Sequence, residues 1–333
     1  MAGKAYCASY SGYSERGTTA STHTHSVYQY PYPYVPEGGL MRREPLHSRA
    51  AVEEAMRRGT TVEAMCVLCD CTTMQLTVEL PDGIRGVIPR EEAGWGEVKD
   101  IAVITRVGKP VQFKITDLYE NERGELTARL SRRAAQLECM KNYIEKLSSG
   151  DVIPARITHL EPFGAFCDIG CGIVSLLTVD RVSVSRISHP ADRFRNGEFI
   201  HAVVQSAEEG GRIYLTHREL LGTWEENAAF FAPGQTVTGV IRSVEEYGVF
   251  VELAPNLAGL AEAFDGARPG EACSVYIKSL IPERMKIKLV LIDLCGRAEV
   301  APLRYFIDPD EVRHISYWRY SPSVCQKLID TNF

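Results

Sequence analysis

The sequence predicts a mostly β chain of three small five-stranded barrels in line, joined by short helices and preceded by a disordered tail. Three observations carry that expectation. One segment recurs without a gap, each copy leads into the same order of short alternating strands, and apolar helical stripes fall between the copies. The segment reads SGDVIPARITHLEPFGAFCDI from Ser149 to Ile169 and PGQTVTGVIRSVEEYGVFVEL from Pro233 to Leu253. Gly150 and Gly164 match Gly234 and Gly248, Ile157 matches Ile241, and Glu161 matches Glu245. A turn-plus-strand signal then recurs as NGEFIHAVVQS and PGEACSVYIKS, and each unit closes in a strand, RIYLTHR or KIKLVLI. So few strands must curl on themselves to bury an apolar face and protect their edges, which an OB-like barrel does.

The elements follow in order. Residues 1 to 46 are rich in Tyr, Ser, Thr, His and Pro with little aliphatic periodicity, and read as a disordered tail. Tyr6, Tyr10, Tyr13, Tyr28, Tyr30, Tyr32 and Tyr34 all lie in it. Residues 47–147 form a weaker first unit with flanking helices. A helix from Ser48 to Arg58 leads into it, and GTTVEAMCVLCDCTTMQLTVELPDGIRGVIPREE, VGKPVQFKIT and ELTARLSRR keep the strand order. The connector Arg132 to Leu147 aligns Leu137, Met140, Ile144 and Leu147 on one stripe. Residues 148–231 are the second unit with a connector in which Thr223 and Glu226 stand at capping-box spacing. Residues 232–296 are the third. In the extension 297–333, Ser321 and Pro322 read as the N-cap and first position of a terminal helix, and the YWRY run either stacks on bases or packs on the last barrel.

Composition narrows the function. The 333 residues include 45% hydrophobic ones, enough for several cores, with no apolar run of membrane-spanning length and no secretory leader; the expectation is a cytoplasmic protein without a membrane. Ten scattered cysteines read as reduced, mostly buried thiols, since Cys66, Cys69 and Cys71 or Cys167 and Cys171 lack zinc-finger partners. No phosphate loop, dinucleotide fingerprint or nucleophile elbow occurs, so no catalytic residue, metal, cofactor or small-molecule substrate is expected. A formal charge of -6 counts against binding nucleic acid by phosphate neutralisation alone; stacking has to contribute.

Phe163 and Phe166 flank Gly164, and Tyr247 and Phe250 flank Gly248. Residues three apart on a strand face opposite ways, so the glycine is expected to supply a bend that returns both rings to one side. The competing reading is rings that fill the core. With these rings, the Gly-Asp opening, the small residue plus Leu176 or Leu260, and the closing L-T, most of residues 59 to 293 resembles the S1 RNA-binding motif family. The resemblance implies OB folds whose aromatic pairs stack on unpaired bases, single-stranded messenger RNA as ligand, and a role in translation at the small (30S) ribosomal subunit. It makes Phe163 and Phe166 the principal site and Tyr247 and Phe250 a weaker one. Arg156 and Arg212 in the second unit, and Arg242, Lys286 and Lys288 in the third, are the candidate phosphate contacts, the two lysines facing outward by alternation with Ile287 and Leu289. Where the family often has a histidine on the third strand, this sequence has Thr178 and Glu262. The first unit lacks the rings, and its IRGVIPREE is similar to the ribosome-docking repeats of the family. The rival functions are a protein-interaction scaffold of acidic barrels and an accessory RNA-decay factor.

Overall fold

The computed structural model describes residues 32–41, 45–104, 106–122, 124–208, 212–300 and 302–333. Strands β1 (Val62–Asp70), β2 (Gln75–Glu79), β3 (Arg85–Pro89), β4 (Pro110–Glu120) and β5 (Leu126–Ser131) close the first barrel. The second is built from β6 (Val152–Glu161), β7 (Gly164–Asp168), β8 (Val174–Thr178), β9 (Phe199–Glu208) and β10 (Arg212–Thr216). The third uses β11 (Thr236–Glu245), β12 (Gly248–Ala254), β13 (Leu257–Ala261), β14 (Glu271–Ile281) and β15 (Lys286–Arg297). In each barrel the third and fifth strands run parallel, with Arg85 opposite Thr127, Leu176 opposite Tyr214 and Leu260 opposite Lys288. That one parallel seam closes an otherwise antiparallel sheet and gives all three the OB order.

Alternation places one face of every strand inside. Leu76, Ile88, Phe113 and Leu130 fill the first barrel, Ile157, Cys167, Leu177 and Leu215 the second, and Ile241, Val251, Ile277 and Leu289 the third. Cys66, Cys167 and Cys171 are buried as expected, whereas Cys71 is exposed. Helix Arg49–Arg58 starts where the Ser48 hydroxyl accepts the Ala51 N–H, and it stops at Gly59, which takes the left-handed conformation at φ 63°. Thr223 and Glu226 form the expected capping box on the short helix Trp224–Ala228.

Three expectations need correction. The tail is not disordered up to residue 46: Tyr32 to Met41 form an ordered strap between the first two barrels. The Tyr32 hydroxyl donates to the Val152 carbonyl at 2.8 Å, and Glu37 is held by Gln112 and Arg132 of the first barrel region and by Asp168 of the second. The polar and Pro-rich composition hid this because the strap has no aliphatic periodicity: buried Tyr32 and Val35 anchor it, and Glu37, Glu63 and backbone groups fix the rest. The rest of the expected tail up to residue 31 lies outside the described residues. Second, the connector helix is Arg132–Asn142 followed by a 3-10 turn at Ile144–Lys146, and Leu137 is exposed; Ala135, Gln136, Cys139 and Met140 form the buried face. Third, Ser321 caps no helix. Instead β16 (Tyr317–Arg319) pairs with β17 (Asp330–Asn332), the Ser321 hydroxyl accepts the Ile329 N–H, and Trp318 and Tyr320 are buried in the third core. The YWRY run thus packs on the last barrel, leaving Tyr317 and Arg319 outside.

The C-terminal extension also buttresses the second barrel. Tyr305 places its hydroxyl 3.3 Å from His217 Nε2, while His217 Nδ1 lies 3.1 Å from the Val182 carbonyl. Burial pushes the His217 pKa down from 6.5 to about 4. A depressed histidine contributes stability above its unfolded pKa that is lost as pH falls toward the folded one; from pH 6.5 down to 4 this amounts to about 3 kcal/mol. The thermal midpoint is therefore expected to drop across that window, and to drop less in His217→Gln, which does not titrate there. An equal drop in both proteins would contradict the assignment.

Candidate nucleic-acid interface

The first strand of each barrel carries a bulge at the same place, between Cys66 and Leu68, Ile157 and His159, and Ile241 and Ser243. The extra residue re-aims the strand so that His159 stands opposite Phe166 and Ser243 opposite Phe250 on the outer surface. Phe163 is not in a strand at all: it sits in the turn just before β7, and its ring meets Phe166 edge to face, centroids 5.9 Å apart at 89°. Tyr247 and Phe250 repeat the arrangement at 6.2 Å and 89°. Phe163 is 55% exposed and Tyr247 69%, so these rings are presented to solvent and do not fill the core.

The glycines have a different use from the expected bend. A Cβ on Gly164 would come within 2.6 Å of the Leu177 carbonyl oxygen, and one on Gly248 within 2.3 Å of the Ala261 carbonyl oxygen. Each glycine therefore lets the third strand approach closely beneath the rings, while the bulge and the turn set their direction. In the first barrel the strand register puts Gln75 in the glycine position, and Met74 and Thr77 where the rings would be.

Across the second barrel the register lines up His159, Phe166, Leu176 and Tyr214 in one row. The His159 ring stacks on Phe166 at 6.4 Å and 25°, and its Nε2 lies 2.7 Å from a Glu161 carboxylate oxygen. Arg212 belongs to the same outward face as Tyr214, since Ile213 and Leu215 between and beyond them are buried. The matching row in the third barrel is Ser243, Phe250, Leu260 and Lys288. Lys286 and Lys288 are exposed while Ile287 and Leu289 point inward, as the alternation requires. His159 and Tyr214 were not singled out from sequence, although Tyr214 carries the same signal as Lys288, a polar-tipped residue alternating with aliphatics in the closing strand.

Two of the candidate basic residues are engaged by other protein groups: Arg242 at the junction with the second barrel, and Arg156, which lines the cleft beside Phe166, at the strap. Arg242 makes a two-pronged contact with Glu252, Nε and Nη2 at 2.9 and 3.0 Å, and Nη1 reaches Asp192 of the second unit at 3.5 Å. Arg193 joins the same carboxylate, so this cluster fastens the second barrel to the third. Arg156 donates from Nη1 to the Glu37 carbonyl at 2.8 Å and lies over the Phe199 ring at 5.5 Å, which ties it to the strap. Sequence carries no sign of which carboxylates or carbonyls the tertiary fold brings near these two candidate phosphate contacts.

No protein-family model matches the sequence. The chain is similar over about two thirds of its length to bacterial ribosomal S1 proteins. It is 28% identical over 225 residues to "Small ribosomal subunit protein bS1" of Leuconostoc lactis, 66% of this chain and 51% of that one. It is 26% identical over 227 residues to the bS1 protein of Chlamydia muridarum, 64% of this chain and 39% of the relative. The bS1 homolog of Bacillus subtilis is 28% identical over 181 residues, 54% of this chain and 47% of the relative. The chain thus spans about half the length, or less, of these relatives. A solved multidomain protein with nucleic acid binding domains from Streptococcus pneumoniae aligns over 71% of this chain and 74% of its own at 15% identity, with a TM-score of 0.23, too low to bear on fold or function. The repeats are S1-like in sequence and OB-like in architecture.

Proposed function

We propose that this S1-like chain binds single-stranded RNA, messenger RNA in particular, by stacking unpaired bases on the ring pairs of its second and third barrels, and that it acts in translation at the small ribosomal subunit in the cytoplasm. One observation carries the reading. Two edge-to-face aromatic pairs stand at equivalent places on the outer faces of two barrels, and the same places in the first barrel hold Met74 and Thr77. Exposed rings placed identically by bulge, turn and glycine serve a flat ligand better than they serve the core. Each stacked base contributes about 1–3 kcal/mol irrespective of its identity, which lets an acidic protein hold RNA. Arg212, with His159 and Tyr214 beside it, Lys286 and Lys288 are the phosphate and edge contacts of this reading; Arg156 and Arg242 hold the barrels together. The resemblance to bS1 supports the ribosomal setting and a docking role for the first barrel. Neither a catalytic step nor a cofactor enters.

The test is binding of the full chain to an unstructured oligoribonucleotide at low salt, repeated along a salt series. The expected outcome is tight binding that weakens as salt rises, because phosphates are contacted as well as bases. No binding at low salt, together with stable capture of a protein partner by the same rings, would replace this function with the scaffold reading.

A further inference from the structure

Between the first two barrels lies a cleft of about 630 Å³ that opens beside Phe166. One wall is the second barrel's ring face, with His159, Phe166 and Val174; the other is the first barrel's turn, with Arg106 and Lys109. Its two acids are already engaged. The Glu37 carboxylate accepts from Arg132 Nε at 2.8 Å and from the Gln112 N–H at 3.2 Å. Asp168 accepts from the backbone N–H groups of Glu37, Gly170 and Gly172 at 2.7, 2.9 and 3.0 Å. Burial and the nearby Glu37 charge push its pKa up, to about 7. Arg106 and Lys109 are exposed and have no carboxylate within ion-pair distance among the described residues.

The turn that carries them is fixed. The Lys109 N–H donates to the Arg106 carbonyl at 3.0 Å, the Gly108 N–H to the Cys66 carbonyl at 2.8 Å, and the Cys66 N–H to the Lys109 carbonyl at 2.8 Å. A second, independent observation concerns charge. Pro110, Phe199 and Ala272 occupy the same register position in the three barrels, opposite Met65, Arg156 and Val240. The residue just before each is Lys109, Glu198 and Glu271. Three residues earlier all three turns carry an arginine, Arg106, Arg195 and Arg268, so the first barrel, which lacks rings of its own and faces its neighbour's, differs at Lys109: that position is basic there and acidic in the other two.

We infer that the first barrel completes the RNA site of the second: Arg106 and Lys109 bind the phosphates of the strand whose bases stack on Phe163 and Phe166, so the RNA runs through the cleft between the two barrels. This rests on the proposed function, with a partner surface added that sequence and resemblance assign to docking. It also explains why the strap is built as it is, since Glu37 and Asp168 fix the width of the cleft.

The test uses the full chain, an oligouridylate of about twelve nucleotides, and the double variant Arg106→Ala with Lys109→Ala. Both side chains are exposed on a backbone-held turn, so the thermal midpoint is expected to stay unchanged. Affinity at low salt should fall about tenfold, and the slope of log affinity against log salt should lose about 1.4 in magnitude, the share of two phosphates on a single strand. Lys109→Glu, which copies the other barrels, should weaken binding further than Lys109→Ala. Unchanged affinity and slope in these variants, with Phe163→Ala plus Phe166→Ala still weakening binding, would overturn the composite site and leave the proposed function standing. Loss in neither set would overturn both. If RNA affinity is untouched and polyglutamate binds the parent chain but not the double variant, the cleft is an acidic-peptide site and the inference is wrong.

Discussion

Replacing Phe163 and Phe166 together by alanine is expected to weaken binding of an unstructured oligoribonucleotide at least tenfold while the protein stays folded. The magnitude follows from stacking: each stacked base contributes about 1–3 kcal/mol, so two rings together exceed the roughly 1.4 kcal/mol that a tenfold change requires. Folding should survive because Phe163 is 55% exposed and the core beneath is made by Ala165, Cys167 and Leu177, which the change leaves intact. The matching change at Tyr247 and Phe250 is expected to cost less. Beside that pair stands Glu262, 89% exposed and 3.9 Å from Lys278, so an approaching phosphate meets a nearby negative charge. Binding isotherms with thermal melts of the same samples separate the two effects. Unchanged affinity in the Phe163 and Phe166 variant would remove the stacking site.

Glu252→Ala is expected to be the most destabilising single change at the junction of the second and third barrels. Its buried carboxylate serves Arg193 and Arg242 together, and the side chains of Arg193 and Glu252 are 5% and 6% exposed. Removing the acid leaves Arg193 with long hydrogen bonds to the Ser183 hydroxyl and the Asp192 carbonyl, both at 3.4 Å, and Arg242 with the Asp192 carboxylate at 3.5 Å; breaking a buried pair in this way costs about 3–5 kcal/mol. Glu252→Gln keeps an acceptor of the same shape and should lose less. Chemical denaturation followed by signals from both barrels checks this; a change below about 0.5 kcal/mol in Glu252→Ala would show that the cluster adds nothing to stability.

Much of the fold was legible in the sequence because strand alternation and the gapless repeat are local signals. Three barrels, the outward pair Lys286 and Lys288, the Thr223 to Glu226 cap and the Ser48 helix all follow from spacing alone. What escaped was tertiary. The strap Tyr32 to Met41 looks like the tail before it in sequence, since two isolated anchors, Tyr32 and Val35, and a set of backbone and carboxylate contacts leave no apolar periodicity. Arg156 and Arg242 could not be told from surface arginines without knowing that Glu37 and Glu252 lie beside them. The rings are presented outward, but the bulge at Thr158 and the turn at Phe163 direct them where sequence credits the glycine. Ser321 with Pro322 failed as a helix start because Trp318 and Tyr320 gain more by entering the third core, and that pins the chain as a hairpin.

The strap has a bearing on the order of assembly. Its partners lie far along the chain: Tyr32 bonds to Val152 and Glu37 to Asp168, sequence separations of 120 and 131 residues. During synthesis the strap is among the first of these segments to leave the ribosome, yet it has no second wall to lie against until β7 has emerged. The first barrel can close on its own local hairpins meanwhile, so the cleft is sealed late, by the oldest of the segments that form it. Until then Glu37 can meet Gln112 and Arg132 of the first barrel but has no Asp168 to bond, and a nascent chain halted within the second barrel carries a finished first barrel with its neighbouring wall still missing.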